Sequence, residues 1–213
     1  MSDLQAKQLK PAGQKNTIVF DGESAVTTEV TVLNTGDIYL AYQKYEKDKE
    51  PKWNGEFNNY KSISMFIFDA SGNIKKTYGL DINPDQKGTK AGYNNVFGKP
   101  AQNYFYTSGD NKSLYWFIRS PKDGACTQTQ CDENFCDFHC WPLLGVDYCS
   151  INIETGELSE LKTFGNDKKN PFYVFNITNP LHLDNFVYFF SEDEDKKGNG
   201  GDNMHLTRID ISK

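Results

Sequence analysis

Hydrophobic and polar positions alternate along the chain in short segments that are separated by turn sequences. In the first third of the chain, this alternation predicts four consecutive strands, at 28–33, 38–45, 62–68 and 74–78. Turns rich in Asn, Asp and Gly follow the first and third strands, and a polar loop follows the second. Four strands in this order predict one antiparallel meander sheet. Uninterrupted helical periodicity is not found over any stretch of about twelve residues.

The same order of strands recurs twice. The second unit has strands at 103–107, 113–119, 147–153 and 158–164, and the third has strands at 180–183, 186–191 and 204–211. Tyr39, Tyr115 and Tyr188 lie in corresponding hydrophobic runs, 76 and then 73 residues apart. Such regular spacing predicts a stacked or radial array of one structural unit.

We therefore expect one all-β domain that spans residues 1–213. Its three units are predicted at 17–80, 93–164 and 172–213, and a strand at 4–10 is predicted to complete the last unit. Aromatic residues make up 14% of the chain and hydrophobic residues 37%. This composition favours a core of rings and β-branched side chains over a helical core.

Two turn sequences carry a family resemblance. FDASGN at 68–73 and IETGEL at 153–158 are similar to the outer-hairpin turns of β-propeller blades, and the four-strand unit resembles one blade. The resemblance implies a propeller-like fold of about three antiparallel four-stranded blades and no particular subfamily, because the usual blade signatures are absent. The alternative is a β-sandwich.

Three blades are too few for a closed ring, which uses about 4–8 blades. Three solutions are open. Residues 80–102 form a further small sheet, a second copy of the chain completes the ring, or the chain belongs to a longer protein. The open edge of an incomplete ring exposes hydrogen-bonding groups and invites self-association. This edge predicts an oligomer or a larger assembly.

Charge and hydropathy narrow the choice of partners. The net charge of −6 and the isoelectric point near 5.1 make nucleic acid an unsuitable partner. No apolar run approaches the roughly 18 residues of a membrane span. Residues 1–13 have no hydrophobic region typical of a signal peptide, so the chain is either cytoplasmic or the mature part of an exported protein. The cluster of cysteines favours an extracytoplasmic compartment.

The five cysteines all fall within one segment, at Cys126, Cys131, Cys136, Cys140 and Cys149. Their spacing lacks the short C-x2-C knuckle of zinc sites, and no haem-attachment motif is present, so no metal site and no cofactor are predicted. We expect two disulfides among the first four and a buried free thiol at Cys149. A metal site and unpaired, unreactive cysteines are the alternatives.

Long loops are predicted on one rim of the ring and tight turns on the other, so the long-loop rim is the expected working face. Four aromatic residues on these loops are candidate ligand-binding residues, namely Trp53, Tyr60, Phe138 and Trp141. The alternative role for them is to pack the loops against the sheets. Aromatic faces stack on sugar rings or on apolar partner surfaces.

No catalytic residue is predicted, because the chain has three histidines and no nucleophile motif. The acidic segment 191–195 departs from a calcium loop, since Lys197 and Met204 occupy ligand positions. We expect a non-catalytic binding or assembly module that binds a protein partner or a second copy of itself. The alternatives are a carbohydrate-binding or carbohydrate-active protein and a structural subunit of a larger complex.

Overall fold

The computed structural model describes residues 25–50, 55–80, 101–132, 135–164, 172–174, 179–194 and 200–213. Side chains are described at 25–45, 63–80, 101–119, 145–164, 179–191 and 203–213. Within these ranges every regular element is a β-strand. The predicted strand at 4–10 and the segment 81–100 lie outside the described residues.

Sheet 1 is an antiparallel meander of four strands. They are β1 (Ala25–Val32), β2 (Ile38–Glu50), β3 (Gly55–Phe68) and β4 (Ile74–Leu80). The sequence predicted all four, and β-branched and aromatic residues at alternate positions explain why these segments are extended.

Sheet 2 repeats the meander. Its strands are β5 (Gln102–Thr107), β6 (Ser113–Asp132), β7 (Phe135–Asn152) and β8 (Lys162–Phe164). The fourth strand was predicted to begin at Leu158, but only an isolated bridge from Leu158 to Ile151 precedes β8. The chain therefore rejoins the ladder four residues later than the alternation predicted.

Sheet 3 contains β9 (Phe172–Val174), β10 (Leu181–Leu183), β11 (Phe186–Glu194) and β12 (Gly200–Asp210). Strand β10 pairs with the first residues of β11 and β9 pairs with its last residues, so the two short strands share one edge of β11. Strand β12 occupies the other edge. Sheet 3 is thus three strands wide, and the predicted all-β class with three antiparallel sheets is confirmed.

The three sheets stack face to face, with sheet 2 in the middle. Residues of β6 alternate between two cores: Trp116 and Ile118 face sheet 1, and Phe117 faces sheet 3. The first core joins fourteen buried residues of sheets 1 and 2, among them Tyr39, Ile63, Met65, Tyr78, Leu80, Phe105, Leu114, Trp116 and Ile151. The second core joins Phe117 and Val146 of sheet 2 to Val187, Phe189 and Ile211. Burying both faces of sheet 2 removes most of its apolar surface from water.

The tight turns of all three sheets lie at the same end of the stack. Gly109, in the β5–β6 turn, donates its amide to the carbonyl of Ile211, and Ile211 donates to the carbonyl of Asn185 in the β10–β11 turn (3.1 and 2.8 Å). Lys76 of β4 donates to the carbonyl of Thr155 in the β7–β8 turn. Because adjacent strands are antiparallel, the β2–β3, β6–β7 and β11–β12 hairpins leave at the opposite end.

In these three hairpins the strands are longer than predicted and the loops that join them are correspondingly shorter. The segments 46–61, 120–145 and 192–203 were expected to be loops, and this expectation was wrong for most of their length. Pairing continues to Glu50 and Gly55 in sheet 1, to Asp132 and Phe135 in sheet 2, and to Glu194 and Gly200 in sheet 3. The strands were predicted from hydrophobic alternation, but backbone groups can form a β-ladder where that alternation is absent. We call these extensions the arms of sheets 1, 2 and 3.

Candidate functional site

The arms hold three of the four aromatic residues that the sequence singled out. Tyr60 lies opposite Tyr45 in the arm of sheet 1. Phe138 lies opposite Gln128, and Trp141 lies opposite Ala125, in the arm of sheet 2. Trp53 lies outside the described residues, and the side chains of Tyr60, Phe138 and Trp141 do as well. The structure therefore places three of the four predicted ligand-binding residues on arms that leave the same end of the stack.

A buried polar network lies at the base of the arms, where β1, β2, β5 and β6 meet. Asn103 accepts a hydrogen bond from the indole Nε1 of Trp116 (2.8 Å) and donates to the hydroxyl of Thr28 (2.7 Å). The side-chain oxygen of Gln43 accepts the amide of Ala101 (2.7 Å). Thr28 and Gln43 belong to sheet 1, Asn103 and Trp116 belong to sheet 2, and Ala101 immediately precedes β5. The network therefore fixes the two sheets to each other at this end.

Arg119 is the last described side chain of β6 before the arm of sheet 2 begins, and it is 2% exposed. Its Nε donates to Oε1 of Gln102 (2.7 Å), and its guanidinium lies 5.6 Å from the centre of the Tyr104 ring. Burial lowers the pKa of Arg119, and the neighbouring Tyr104 opposes that shift. A buried arginine held in this way positions the start of the arm and is not available as a surface charge.

A cavity of about 350 Å³ lies at the other end, between sheets 1 and 2. Lys75 forms an ion pair with Asp37 (2.8 Å), and the Tyr78 hydroxyl donates to the carbonyl of Gly156 (3.0 Å). Burial, with a smaller effect of Asp37, raises the pKa of Tyr39 to about 12. The tyrosines are therefore neutral hydrogen-bond donors at physiological pH, and neither can act as a general base.

The lysines of this cavity are already engaged. Lys75 pairs with Asp37, and Lys76 donates to the carbonyl of Thr155. A ligand would have to displace one of these interactions to gain a charge partner. The residues that line the cavity come from strands far apart in the sequence. The hydrogen bonds of Lys76 and Tyr78 hold the two sheets together, and neither lysine is left unpaired for a ligand.

Cys149 is a free and buried thiol, as predicted. It lies on β7 opposite Trp116, in the core between sheets 1 and 2. Burial raises its pKa, and Asp147 adds to the shift, so the thiol stays protonated and unreactive in the folded protein. Among the side chains that the structure describes, no three His, Cys, Asp or Glu residues are placed to hold a metal ion.

The outer face of sheet 3 carries an exposed group of apolar side chains. Five large hydrophobic side chains on it are exposed to solvent, namely Leu181, Leu183, Phe190, Met204 and Leu206. The register places them on one face, because residues directly opposite in an antiparallel pair point the same way. Patches of this kind mark interaction surfaces.

The regular spacing of Tyr39, Tyr115 and Tyr188 was a sequence signal that could have identified this face. Tyr39 is buried between sheets 1 and 2, and Tyr115 packs between sheets 2 and 3. Tyr188, at the corresponding place in the third unit, lies on the outer face of sheet 3 opposite Leu181 and Arg208. The sequence interpretation used the spacing for the architecture alone and missed the exposed surface.

Compared with known proteins, the chain matches no family model, no curated protein and no solved structure. Its described part contains no helix that is long and apolar enough to cross a membrane.

Proposed function

We propose that the protein is a non-catalytic binding module that contacts its partner through the three arms of a propeller-like scaffold. The observation that carries the proposal is that the β2–β3, β6–β7 and β11–β12 hairpins, one in each sheet, are all lengthened at the same end, while the turns at the other end are short. Long extensions on a rigid scaffold are the usual location of binding residues.

The stacking of the sheets supports the propeller-like arrangement over the sandwich. A sandwich packs two sheets on one shared core, whereas sheet 2 is covered on both faces. In sheets 1 and 2 the backbones approach most closely at their first strands, β1 and β5, where Cα atoms come within 8 Å. Sheets that converge at their first strands are typical of blades around an axis.

The network at the base of the arms supports a binding role for them. Asn103, Gln43 and Arg119 are each buried, and each has a hydrogen-bond partner within the chain. Satisfied buried polar groups hold a surface in one geometry, which lowers the entropy lost on binding. The arms of sheets 1 and 2 therefore begin from a fixed platform.

Removal of one arm tests the proposal. In one variant, residues 122–143 are replaced by Asn-Gly so that β6 and β7 are joined by a short turn. The matched control carries Lys112→Ala and Glu157→Ala, two changes in turns at the opposite end. Each protein is immobilised, and the bound proteins from an extract of its own source cells are identified by mass spectrometry.

A stoichiometric partner that binds the wild type and the control, and is lost from the arm variant, supports the proposal. Circular dichroism and urea unfolding must show that the arm variant keeps its fold. Retention of the same partner by a folded variant with all three arms shortened would overturn the proposal.

A second measurement, binding to a glycan array, tests the carbohydrate-binding alternative. It depends on Trp53, Tyr60, Phe138 and Trp141, whose rings suit stacking on sugars. A glycan array on which binding disappears with Trp53→Ala or Trp141→Ala would replace the protein partner by a glycan. The alternative of a carbohydrate-active enzyme requires hydrolysis of the bound glycan as well.

A second candidate function is assembly with another copy of the chain, and the open face of sheet 3 favours it. The face of sheet 1 that carries Tyr39 is covered by sheet 2, and the face of sheet 2 that carries Tyr115 is covered by sheet 3. The corresponding outer face of sheet 1 carries Val30 and Val32, which are 52% and 64% exposed. Further along that face, Tyr42 and Phe66 stack at 5.3 Å and are buried, so its open part is the β1 edge.

We therefore propose that two copies make this contact reciprocally, so that sheet 3 of each copy covers the β1 edge of sheet 1 in the other. Light scattering is expected to give a mass of two chains for the wild type. Leu206→Glu blocks the outer face of sheet 3 and Val32→Glu blocks the β1 edge of sheet 1, so each variant alone is expected to be a monomer. In an equal mixture, the intact sheet 3 of one variant can cover the intact β1 edge of the other, so a mass of two chains is expected to return. A monomeric wild type, or a mixture that stays monomeric, would contradict this assembly.

A further inference from the structure

The arm of sheet 2 brings four cysteines into two facing pairs. Its register places Cys126 opposite Cys140 and Cys131 opposite Cys136. Directly opposite residues of an antiparallel pair have Cα atoms about 4.5 or 5.5 Å apart, depending on the hydrogen-bonding position. A disulfide requires Cα atoms about 4.4 to 6.8 Å apart. Both kinds of position satisfy this requirement, so both pairs are within bonding reach.

A bulge reconciles the unequal spacing of the cysteines along the two strands. Cys131 follows Cys126 by five positions on β6, whereas Cys140 follows Cys136 by four positions on β7. The register shifts between Gln128 and Gln130, which inserts one extra residue into β6. The extra residue absorbs the difference, and both cysteine pairs consequently fall on the same face of the arm. Without the bulge, one pair would be out of register.

From this register we infer that Cys126 is disulfide-bonded to Cys140 and Cys131 to Cys136. Four cysteines allow three connectivities. The other two would join cysteines that are separated by four or five strand positions, or about 13 Å at 3.3 Å per residue. Cysteines with Cα atoms more than about 7 Å apart cannot be bridged without moving the backbone.

The same separation argues against a zinc ion held by the four cysteines. A structural zinc ion binds four ligands at about 2.3 Å from each sulfur, so all four sulfurs must converge on one point. Two pairs about 13 Å apart along one hairpin cannot converge in this way. His139 lies opposite Thr127, one position away from the Cys126–Cys140 pair, and alternation therefore places it on the other face.

The bond-forming step needs an oxidant of the disulfide class, such as oxidised glutathione. One cysteine thiolate attacks a sulfur of the donor disulfide, which forms a mixed disulfide and releases one donor thiolate. The opposite cysteine then attacks the protein sulfur of that mixed disulfide and releases the second donor thiolate. Each bridge therefore consumes one donor disulfide, and the two protein thiols lose two protons and two electrons.

The two bridges would hold the ladder of the arm at its tip and near its middle. Phe138 lies between them on the same face, because it alternates with Cys136 and Cys140 along β7. The pairing does not depend on whether the arm contacts a partner.

Counting free thiols tests the pairing. The folded protein is incubated with oxidised glutathione, denatured without reductant and alkylated, and its intact mass is measured. We expect one alkylated thiol in the wild type, at Cys149, and five when reductant is added first. The two matched double variants, C126S/C140S and C131S/C136S, are each expected to keep one bridge and so to show one alkylated thiol.

The control is a mismatched double variant, C126S/C136S, which leaves Cys131 and Cys140 without facing partners. It is expected to show three alkylated thiols. One alkylated thiol in this variant would overturn the pairing, and five in the oxidised wild type would overturn the disulfides altogether. Zinc that binds the reduced wild type at one ion per chain and is released by the four serine substitutions would also overturn the inference.

Discussion

The close approach of sheets 1 and 2 at their tight turns can be tested at Gly156. Gly156 has φ +69°, and a Cβ added there would lie 2.5 Å from Cδ of Lys76 and would also overlap the Nζ of that side chain. The change Gly156→Ala must therefore move Lys76 and break its hydrogen bond to Thr155. Gly72 is a matched control, because it has φ +83° and nothing within 4 Å of an added Cβ.

The two substitutions share one cost and differ in another. A non-glycine residue in the left-handed region costs about 1 to 2 kcal/mol, and the less flexible unfolded chain returns about 0.4 to 1 kcal/mol. Gly72→Ala is therefore expected to lower the free energy of unfolding by about 1 kcal/mol. Gly156→Ala also loses a hydrogen bond, so it is expected to cost about 1 kcal/mol more than Gly72→Ala.

Urea unfolding measures both values, and a second background isolates the contact. With Lys76→Ala already present, Gly156→Ala is expected to cost no more than Gly72→Ala, because the side chain that it displaces is gone. Equal costs for the two glycine changes in the wild-type background would refute the reasoning. In that case the β7–β8 turn would not lie against β4.

Three further outcomes follow from buried groups. Cys149 is expected to resist iodoacetamide at pH 8 in the folded protein and to react in urea, and equal rates would show that it is not buried. Asn103→Ala leaves the Trp116 indole without its acceptor and is expected to cost about 2 to 3 kcal/mol in urea unfolding, so a loss below about 0.5 kcal/mol would contradict the network. Because burial raises the pKa of Tyr39 to about 12, its share of the stability is complete below pH 10 and is lost as the pH rises towards 12. Tyr39→Phe is therefore expected to flatten the decline of the unfolding free energy between pH 10 and 12, and an unchanged slope would contradict the assignment.

The sequence was a good guide to the strands whose side chains reach one or both of the cores. Tyr39 and Ala41 alternate with the partly exposed Ile38 and Leu40. Trp116 and Ile118 face one core and Phe117 faces the other, so both strands were predicted from their periodicity. The segment that contains Cys126 and Cys131 has no such alternation, and its pairing could not be inferred from hydrophobicity. Which residues of β6 and β7 lie opposite each other in this segment is set by backbone pairing, and only the three-dimensional structure shows it.

The candidate sites were predicted less completely than the strands. Gln43 and Asn103 are sixty residues apart and are joined through Ala101 only because sheet 1 stacks on sheet 2, so no local pattern marks their network. The aromatic residues of the arms were identified by composition and by position in long connections. The open face of sheet 3 follows the same alternation as the buried faces, and the sequence alone cannot distinguish an alternation that is covered from one that is not.

Neighbouring residues of β6 supply two different cores, and this arrangement has a consequence for how the molecule opens. Separation of either end sheet uncovers only one side of the central sheet, so the Trp116 and Phe117 amides stay protected until both separations have occurred. Their hydrogen exchange is therefore expected to report global unfolding, while the amides of β1 and β12 exchange through smaller openings that leave the other two sheets together.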